Sequence, residues 1–261
     1  MRQKSSLLFC CLLLLSVLST SNICASAQVS PDDCHTTGPT PGNAEEKVRF
    51  GWSHLWRYCA DDARLGLPAP GENRIVFFGD SITEAWSLKK FFPGKPYVNR
   101  GVSGETSSQM LLRFRQDVVD LSPKAVLILA GTNDIAGNTG PITLKAIEEN
   151  FASMAEIAQA SGVRVILASV LPAFDYPWRH GQQPVAKIAA LNYWLSDYAS
   201  IHHLTYLDYY TVMQDDRHGL PQVLSGDGVH PNEAGYSIMQ PLTEKAIAQT
   251  LRKNHRHFPY F

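Results

Sequence analysis

Short apolar runs alternate with longer stretches in which apolar residues recur at helical spacing along most of the chain. The runs at 74–78, 97–99, 125–130, 163–170 and 205–207 predict five strands. The third and fourth of these runs are apolar throughout, which is typical of parallel strands covered on both faces. The alternation therefore predicts an α/β fold, a three-layer α/β/α sandwich with a mostly parallel sheet of about five strands.

Helix start signals support this alternation. Pro141, at a first-turn position, and Pro184 each open a segment with one apolar face, and residues 231–233 open a last such segment. Residues 47–68 carry tryptophans and leucines at spacing that predicts a short amphipathic helix. No composition shift divides the rest of the chain, so residues 47–261 are predicted to form a single domain.

The first 27 residues differ from all others. Arg2 and Lys4 precede an apolar run at 7–18, and an Ala-Ser-Ala sequence at 25–27 follows. This pattern predicts a secretory signal peptide over residues 1–27, cleaved near Ala27, and hence a secreted or periplasmic protein with no membrane span in its mature form. A retained N-terminal anchor is the alternative.

Residues 28–46 are rich in Pro, Gly, Thr and acidic residues and predict an irregular arm. Of the five cysteines, cleavage near Ala27 would leave only Cys34 and Cys59. Disulfides persist in exported proteins, so we expect a Cys34–Cys59 disulfide that ties down the arm. Two unpaired buried thiols are the alternative.

Charge narrows the range of partners. The chain has 23 basic and 24 acidic side chains, a formal net charge of −1. Nucleic-acid affinity depends on many Lys and Arg contacts, so this balance argues against a nucleic-acid partner. Sets of His and Asp at 202–208 and 215–218 lack a recognisable metal-ligand spacing and are interpreted as solvated loop residues, with no metal predicted.

Polar and glycine residues follow three predicted strands, at the sheet edge where ligands bind in such folds. Ser81 follows Gly79-Asp80 and precedes a helical pattern, which suits a nucleophile presented at a helix start or a plain helix cap. Gly101 lies in an Asn-Arg-Gly-Val-Ser-Gly sequence where a backbone N–H could approach a ligand, or which forms a simple loop. Asn133, in Gly-Thr-Asn-Asp, could donate its amide to an oxyanion or cap a turn.

A fourth block, Asp227-Gly228-Val229-His230-Pro231, lies near the C-terminus. A carboxylate three residues before a histidine in one loop can reach the imidazole Nδ1–H and fix the tautomer. The opposite nitrogen, Nε2, is then free to take a proton from a nucleophile. Taken alone, this short motif also fits a turn or a metal site.

Together the four blocks resemble those of the SGNH hydrolases, the superfamily that contains the GDSL-type esterases and lipases. Its four name-giving residues match Ser81, Gly101, Asn133 and His230, in the blocks GDSIT, NRGVSGE, GTND and DGVHP. The resemblance implies the flavodoxin-like SGNH hydrolase fold, Ser81 as nucleophile, His230 as general base and Asp227 as the residue that orients it. It also implies an oxyanion hole made by the N–H groups of Ser81 and Gly101 and the Asn133 side chain.

The resulting hypothesis is an exported serine esterase, without a cofactor, that hydrolyses small acyl esters, with acetyl groups on carbohydrate as one option. Trp178 and Arg179 are predicted substrate contacts, because aromatic and Arg side chains suit a sugar leaving group. A packed surface loop explains them equally well. The alternatives are a lysophospholipase or thioesterase for longer acyl chains and a catalytically silent carbohydrate-binding module. The sequence leaves the oligomeric state open.

Overall fold

The computed structural model describes residue 52 and residues 54–252. The sheet contains five parallel strands, in the order β2-β1-β3-β4-β5. Their bounds are Ile75–Gly79 for β1, Tyr97–Gly101 for β2, Ala125–Leu129 for β3, Arg164–Ala168 for β4 and Thr205–Leu207 for β5. The predicted α/β fold is confirmed, and the sheet is parallel at every pairing rather than mostly so.

Helices cover both faces of the sheet. In chain order they are α1 (Cys59–Leu65), α2 (Ser81–Glu84), α3 (Leu88–Phe91), α4 (Ser107–Phe114), α5 (Thr132–Ala136), α6 (Leu144–Ala160), α7 (Pro184–Ile201), α8 (Tyr210–Met213) and α9 (Glu233–Arg252). A π-helical turn, Arg115–Val119, follows α4 directly. Among the described residues, no helix combines the length and the apolar character needed to cross a bilayer.

Alternate residues of each strand enter two separate cores. Phe78 and its neighbours on one face pack against α4, α6 and α7, while Phe77 and the other face pack against α2, α3, α8 and α9. All five residues of β1 are buried. Burial on both faces explains why the central strands have continuously apolar sequences.

The strand order determines where a ligand can bind. The chain passes from β1 to β2 on one side and then crosses to β3 on the other side of β1. In such sheets the crevice lies beyond the carboxyl ends of the strands at this switch point. The segments that follow β1, β2 and β3 therefore meet at one edge, as the polar blocks in the sequence indicate.

Two local predictions differ from the structure, and others fall outside the described residues. Helix α6 begins at Leu144 because the Thr143 side chain caps it, accepting from Ala146 N at 3.2 Å, and Pro141 lies before the helix. The amphipathic helix expected over 47–68 is helical only in α1 within the described residues. The predicted signal peptide, the whole predicted arm and Cys34 lie outside the described residues, so these remain predictions.

Candidate active site

Ser81 is the first residue of α2, directly after the tight turn that ends β1. Gly79 is required in this turn, because a Cβ there would lie 2.2 Å from Thr83 Oγ1 and 2.5 Å from the Leu129 carbonyl oxygen. The buried Asp80 side chain caps α2 by accepting from Ile82 N at 3.0 Å. The Ser81 N–H therefore lies in a first helical turn, where backbone N–H groups have no intrahelical acceptor.

A loop near the C-terminus brings His230 to this serine. His230 Nε2 lies 2.9 Å from Ser81 Oγ, across 149 residues of sequence. On the other side of the ring, His230 Nδ1 lies 2.6 Å from Asp227 Oδ2. A carboxylate at Nδ1 favours the tautomer with its proton on that nitrogen, so Nε2 can accept a proton from the serine.

The Asp227 carboxylate is held by its own loop. Its Oδ1 accepts from the N–H groups of Val229 at 3.0 Å and His230 at 2.8 Å and from Ser225 Oγ at 3.0 Å. Partial burial raises the pKa of Asp227, but the hydrogen bonds from His230 and the backbone N–H groups outweigh it and lower the pKa to about 2. The group beside His230 is therefore ionised throughout the neutral pH range.

Asn133 follows β3 and is buried beside Ser81's turn. Its Nδ2 donates to the Glu105 carbonyl oxygen at 3.0 Å and, over a longer 3.3 Å, to Asp80 Oδ2. The contact with Asp80 is the longer and weaker of the two, so its N–H is the one that can be shared with a developing negative charge. Burial raises the pKa of Asp80 to about 7, against the hydrogen bond from Ile82 N and the influence of His230.

Gly101 is placed differently from what an oxyanion donor requires. Its N–H donates to Asn99 Oδ1 at 2.9 Å and is not available to a substrate in this arrangement. A Cβ on Gly101 would lie 2.2 Å from Glu84 N, so close packing of β2 against α2 explains the glycine. Gly104, further along the same loop, has a φ of 80° and adjoins Glu105, the residue that binds the Asn133 amide.

Other polar residues of the blocks brace the site loops. Asn99 Nδ2 donates to the carbonyl oxygens of Thr83 at 2.6 Å and Trp86 at 3.1 Å. Asp134 accepts from Ser107 through the backbone N–H at 2.9 Å and the hydroxyl at 2.6 Å. These contacts join the segments after β1, β2 and β3 into one frame.

The structure brings Trp178 to the site and gives Arg179 a different contact. The Trp178 ring centroid lies 5.9 Å from that of His230, and 42% of the residue is exposed. Trp178 Nε1 donates to Asn138 Oδ1 at 3.0 Å, and Arg179 Nη1 donates to the Gly137 carbonyl oxygen at 2.8 Å. Both predicted substrate contacts thus hold the loop that follows Asn133.

Asn138 was not identified from the sequence, although a local signal for it exists. Gly137, at φ 72°, ends α5 in a Schellman motif, with Gly137 N–H donating to the Asp134 carbonyl oxygen and Asn138 N–H to that of Asn133. The motif turns Asn138 back over Asn133, and Asn138 Nδ2 donates to Asn133 Oδ1 at 2.7 Å. A glycine four residues after a candidate oxyanion asparagine indicates such a fold-back.

A cleft of about 200 Å³ adjoins the Asp227 end of the site. Phe174, Pro177 and Leu220 supply apolar walls, and His180 and Arg217 supply polar ones. Within the described residues, no group of three or more His, Cys, Asp or Glu side chains is arranged to hold a metal ion.

The chain is similar to known proteins in sequence and in fold. The model of the GDSL-like lipase/acylhydrolase family matches residues 77–238, a range that includes Ser81, Asn133, Asp227 and His230. The chain is 42% identical in sequence to a GDSL-like lipase from Bacteroides thetaiotaomicron. The crystal structure of that lipase matches with a TM-score of 0.74 over 76% of this chain and 98% of that one.

Two curated relatives are more distant. An acetylxylan esterase of Xylanibacter ruminicola is 23% identical over 69% of this chain and 45% of its own length. An uncharacterized lipoprotein, YqeF, of Bacillus subtilis is 28% identical over 44% of this chain and 55% of its own. The chain spans about half the length of the curated relatives it matches.

Proposed function

The chain belongs to the GDSL-like lipase/acylhydrolase family, and on that premise we propose that it is an exported serine esterase with Ser81 as nucleophile, His230 as general base and Asp227 as the group that orients the base. The observation that carries the proposal is the continuous contact from Ser81 Oγ to His230 Nε2 at 2.9 Å and from His230 Nδ1 to Asp227 at 2.6 Å. A serine hydroxyl needs an adjacent base to attack an ester, and this contact supplies one.

The reaction proceeds in two halves. His230 takes the Ser81 proton as Oγ attacks the carbonyl carbon, and the resulting imidazolium is stabilised by the ionised Asp227. His230 then protonates the leaving alcohol, which departs as the carbon–oxygen bond breaks and the acyl group stays on Ser81. Water, deprotonated by His230, then attacks the acyl carbon. The bond from that carbon to Ser81 Oγ breaks, His230 returns the proton to Oγ, and the acid is released.

The oxyanion of each tetrahedral intermediate is stabilised by preorganised donors. We assign the Ser81 N–H and the Asn133 side chain to this role, as the resemblance to the SGNH hydrolases implies. The third donor is assigned to Gly104 in place of Gly101, because the Gly101 N–H already donates to Asn99. The positive φ of Gly104 suits a loop that turns its backbone toward the site.

Small acyl esters, acetyl esters of carbohydrate among them, are the proposed substrates. The cleft beside Asp227 combines an aromatic wall, Phe174, with the polar side chains of His180 and Arg217, a mixture that suits a sugar leaving group. The acetylxylan esterase relative acts, by its name, on such an ester. The leader pattern at residues 1–27 supports export. Disulfides persist in exported proteins, so export in turn supports a Cys34–Cys59 disulfide in the mature chain.

Nitrophenyl esters of increasing chain length, together with acetylated xylo-oligosaccharides, test this proposal. We expect kcat/KM to be highest for acetyl esters and Ser81→Ala to reduce hydrolysis to background. Ser87→Ala is the matched control, since Ser87 is exposed and its side chain makes no capping hydrogen bond.

A preference for octanoyl or longer esters would favour a lysophospholipase or thioesterase instead. No hydrolysis of any ester by the folded wild-type protein would favour a carbohydrate-binding module. Substantial activity in Ser81→Ala would remove Ser81 as the nucleophile.

A further inference from the structure

The orientation of the Asn133 amide decides whether it can stabilise an oxyanion. An asparagine side chain presents a carbonyl oxygen on one side and an NH₂ group on the other, and a half-turn exchanges them. Only the NH₂ group can donate to a negative oxygen; the carbonyl oxygen would repel it. Asn133 is buried, so its neighbours must select one orientation.

Contacts on both sides of the amide select the productive orientation. Asn133 Nδ2 faces two acceptors, the Glu105 carbonyl oxygen and Asp80 Oδ2. On the opposite side, Asn133 Oδ1 accepts from Asn138 Nδ2 at 2.7 Å. Turning the Asn133 amide over would bring oxygen against oxygen on one side and NH₂ against NH₂ on the other.

Asn138 is itself an amide that could turn over, and Trp178 prevents this. Asn138 Oδ1 accepts from Trp178 Nε1 at 3.0 Å. An indole N–H can only donate, so the side of Asn138 that faces Trp178 must be its oxygen. The NH₂ group of Asn138 must then face Asn133 Oδ1.

The two loops that carry this chain of contacts are anchored to one another. The Schellman motif at the end of α5 places Asn138 over Asn133, and Arg179 donates to the Gly137 carbonyl oxygen at 2.8 Å. Trp178 also lies against Tyr176, with ring centroids 5.2 Å apart, and Tyr176 is fully buried. The indole N–H is therefore presented from a fixed position.

We propose that Asn138 and Trp178 are positioning residues that hold the Asn133 amide with its NH₂ group toward the oxyanion. The proposal rests on the esterase function and on Asn133 as an oxyanion donor. In this positioning chain, Trp178 fixes the orientation of the Asn138 amide, and Asn138 fixes the orientation of the Asn133 amide. The same Trp178 ring lies beside His230, so one side chain borders both the base and the support of the oxyanion hole.

Asn138→Asp is the most direct test, because a carboxylate still accepts from Trp178 but offers Asn133 Oδ1 no donor. Repulsion between the oxygens then disfavours the productive orientation of Asn133. We expect kcat for nitrophenyl acetate to fall about tenfold or more, with KM nearly unchanged. The loss should not exceed that of Asn133→Ala, for which removal of one oxyanion donor predicts a 10²–10³-fold decrease.

A double-mutant cycle separates positioning from a general structural effect. In the Asn133→Ala background there is no amide to orient, so Asn138→Asp should lower kcat no further. Multiplicative losses would show that Asn138 acts independently of Asn133 and would overturn the proposal. Thermal unfolding midpoints of all variants report whether each protein is folded.

Trp178→Phe provides a second variant that does not introduce a charge. It removes the N–H that orients Asn138 and keeps an aromatic ring beside His230. We expect a several-fold lower kcat in the wild-type background and no further loss in Asn133→Ala. Trp194→Phe is the matched control, since Trp194 is a half-buried tryptophan of α7 stacked on Tyr198, and it should leave kcat unchanged.

The outcomes distinguish this inference from the proposed function. If Asn133→Ala keeps wild-type kcat, Asn133 is not an oxyanion donor, and both its role and the positioning chain are wrong. If Asn133→Ala is impaired while Asn138→Asp and Trp178→Phe keep wild-type kcat, only the positioning chain is wrong. Should Asn138→Asp fail to fold, the Trp178→Phe cycle decides in the same way.

Discussion

The Asp227 carboxylate is held by donors of its own loop through one oxygen and by the His230 imidazole through the other. Three donors reach its Oδ1, while Oδ2 faces the imidazole. This division allows the carboxylate to stay ionised and fixed in place while the histidine changes its protonation state. The short spacing between Asp227 and His230 makes the contact local, which is why the sequence alone predicts it.

Asp227→Asn tests whether the Asp227 carboxylate orients the His230 imidazole, because it replaces only one carboxylate oxygen. The amide can present NH₂ to His230 Nδ1, which favours the wrong histidine tautomer, and we expect kcat to fall by about 10⁴-fold. The pKa of Asp227, lowered to about 2, means that its protonation does not produce the acid limb of the wild-type pH–rate profile.

Asp208→Asn is the control for this change. Asp208 is likewise an aspartate in a loop, accepting from Thr211 N at 3.0 Å and Thr211 Oγ1 at 2.6 Å, and it should keep wild-type kcat. Steady-state kinetics of both variants on nitrophenyl acetate provide the measurement. A kcat for Asp227→Asn close to that of Asp208→Asn would contradict the orienting role.

At the scale of elements, the close approach of β2 to α2 fixes the position of Ser81. A Cβ on Gly101 would lie 2.2 Å from Glu84 N and 2.7 Å from Glu84 Cα, so the backbone of α2 would have to move. We therefore expect Gly101→Ala to lower the free energy of unfolding by about 1–3 kcal/mol. Urea denaturation measures this change.

Gly226→Ala is the matched control, because a Cβ at Gly226 meets no atom within 4 Å. Its free energy of unfolding should stay within about 0.5 kcal/mol of the wild type. Equal stability of Gly101→Ala and Gly226→Ala would show that the packing of β2 on α2 does not require a glycine.

The strands could be predicted from the sequence more closely than the short helices. Strands buried on both faces have continuously apolar sequences, so β3 and β4 are evident from composition alone. Helix α5 was missed because Gly-Thr-Asn-Asp is also a turn sequence, and only burial against α7 favours a helix there. Tertiary packing, rather than local propensity, decides such five-residue elements.

The candidate site, too, could be predicted from the sequence only where its signals are local. Ser81, Asn133, Asp227 and His230 follow from short blocks whose chemistry is local. The contact of Trp178 with Asn138 joins residues 40 positions apart, and no spacing rule predicts which two loops will meet. The resemblance implies Gly101 as an oxyanion donor, and no local signal in the sequence shows that the Gly101 N–H donates to Asn99.

At the scale of the whole molecule, a buried charge cluster joins the N-terminal part of the described chain to the sheet. We define it as Asp62, Arg100, Glu105, Arg113 and Asp117. Arg113, fully buried, binds Glu105 at 2.6 Å and Asp117 at 2.7 Å, and Arg100 binds Asp62 of α1. Besides the His54 imidazole, whose Nδ1 lies 2.8 Å from Glu105 Oε1, three carboxyls thus face two guanidinium groups, which favours retention of one proton in the cluster.

The surplus of carboxyl groups over guanidinium groups in this cluster predicts how the free energy of unfolding depends on pH. Burial raises the pKa of Asp62 to about 7, with the neighbouring Asp117 adding to the effect and Arg100 opposing it. Burial also raises the pKa of Asp80 to about 7. Between about pH 4 and 7 the folded protein holds protons that the unfolded chain has released, so the free energy of unfolding should decrease as the pH rises.

Asp62→Asn separates the contribution of Asp62 to this pH dependence from that of the other buried carboxyls. The amide keeps an oxygen for Arg100 and carries no negative charge beside Asp117, so the fold should persist. We expect a smaller loss of stability between about pH 5 and 8 than in the wild type, measured by urea unfolding at both values. Asp61→Asn, on the exposed side of α1, should retain the full wild-type loss. An undiminished loss in Asp62→Asn would mean that Asp62 is ionised across this range and that the surplus proton lies elsewhere in the cluster.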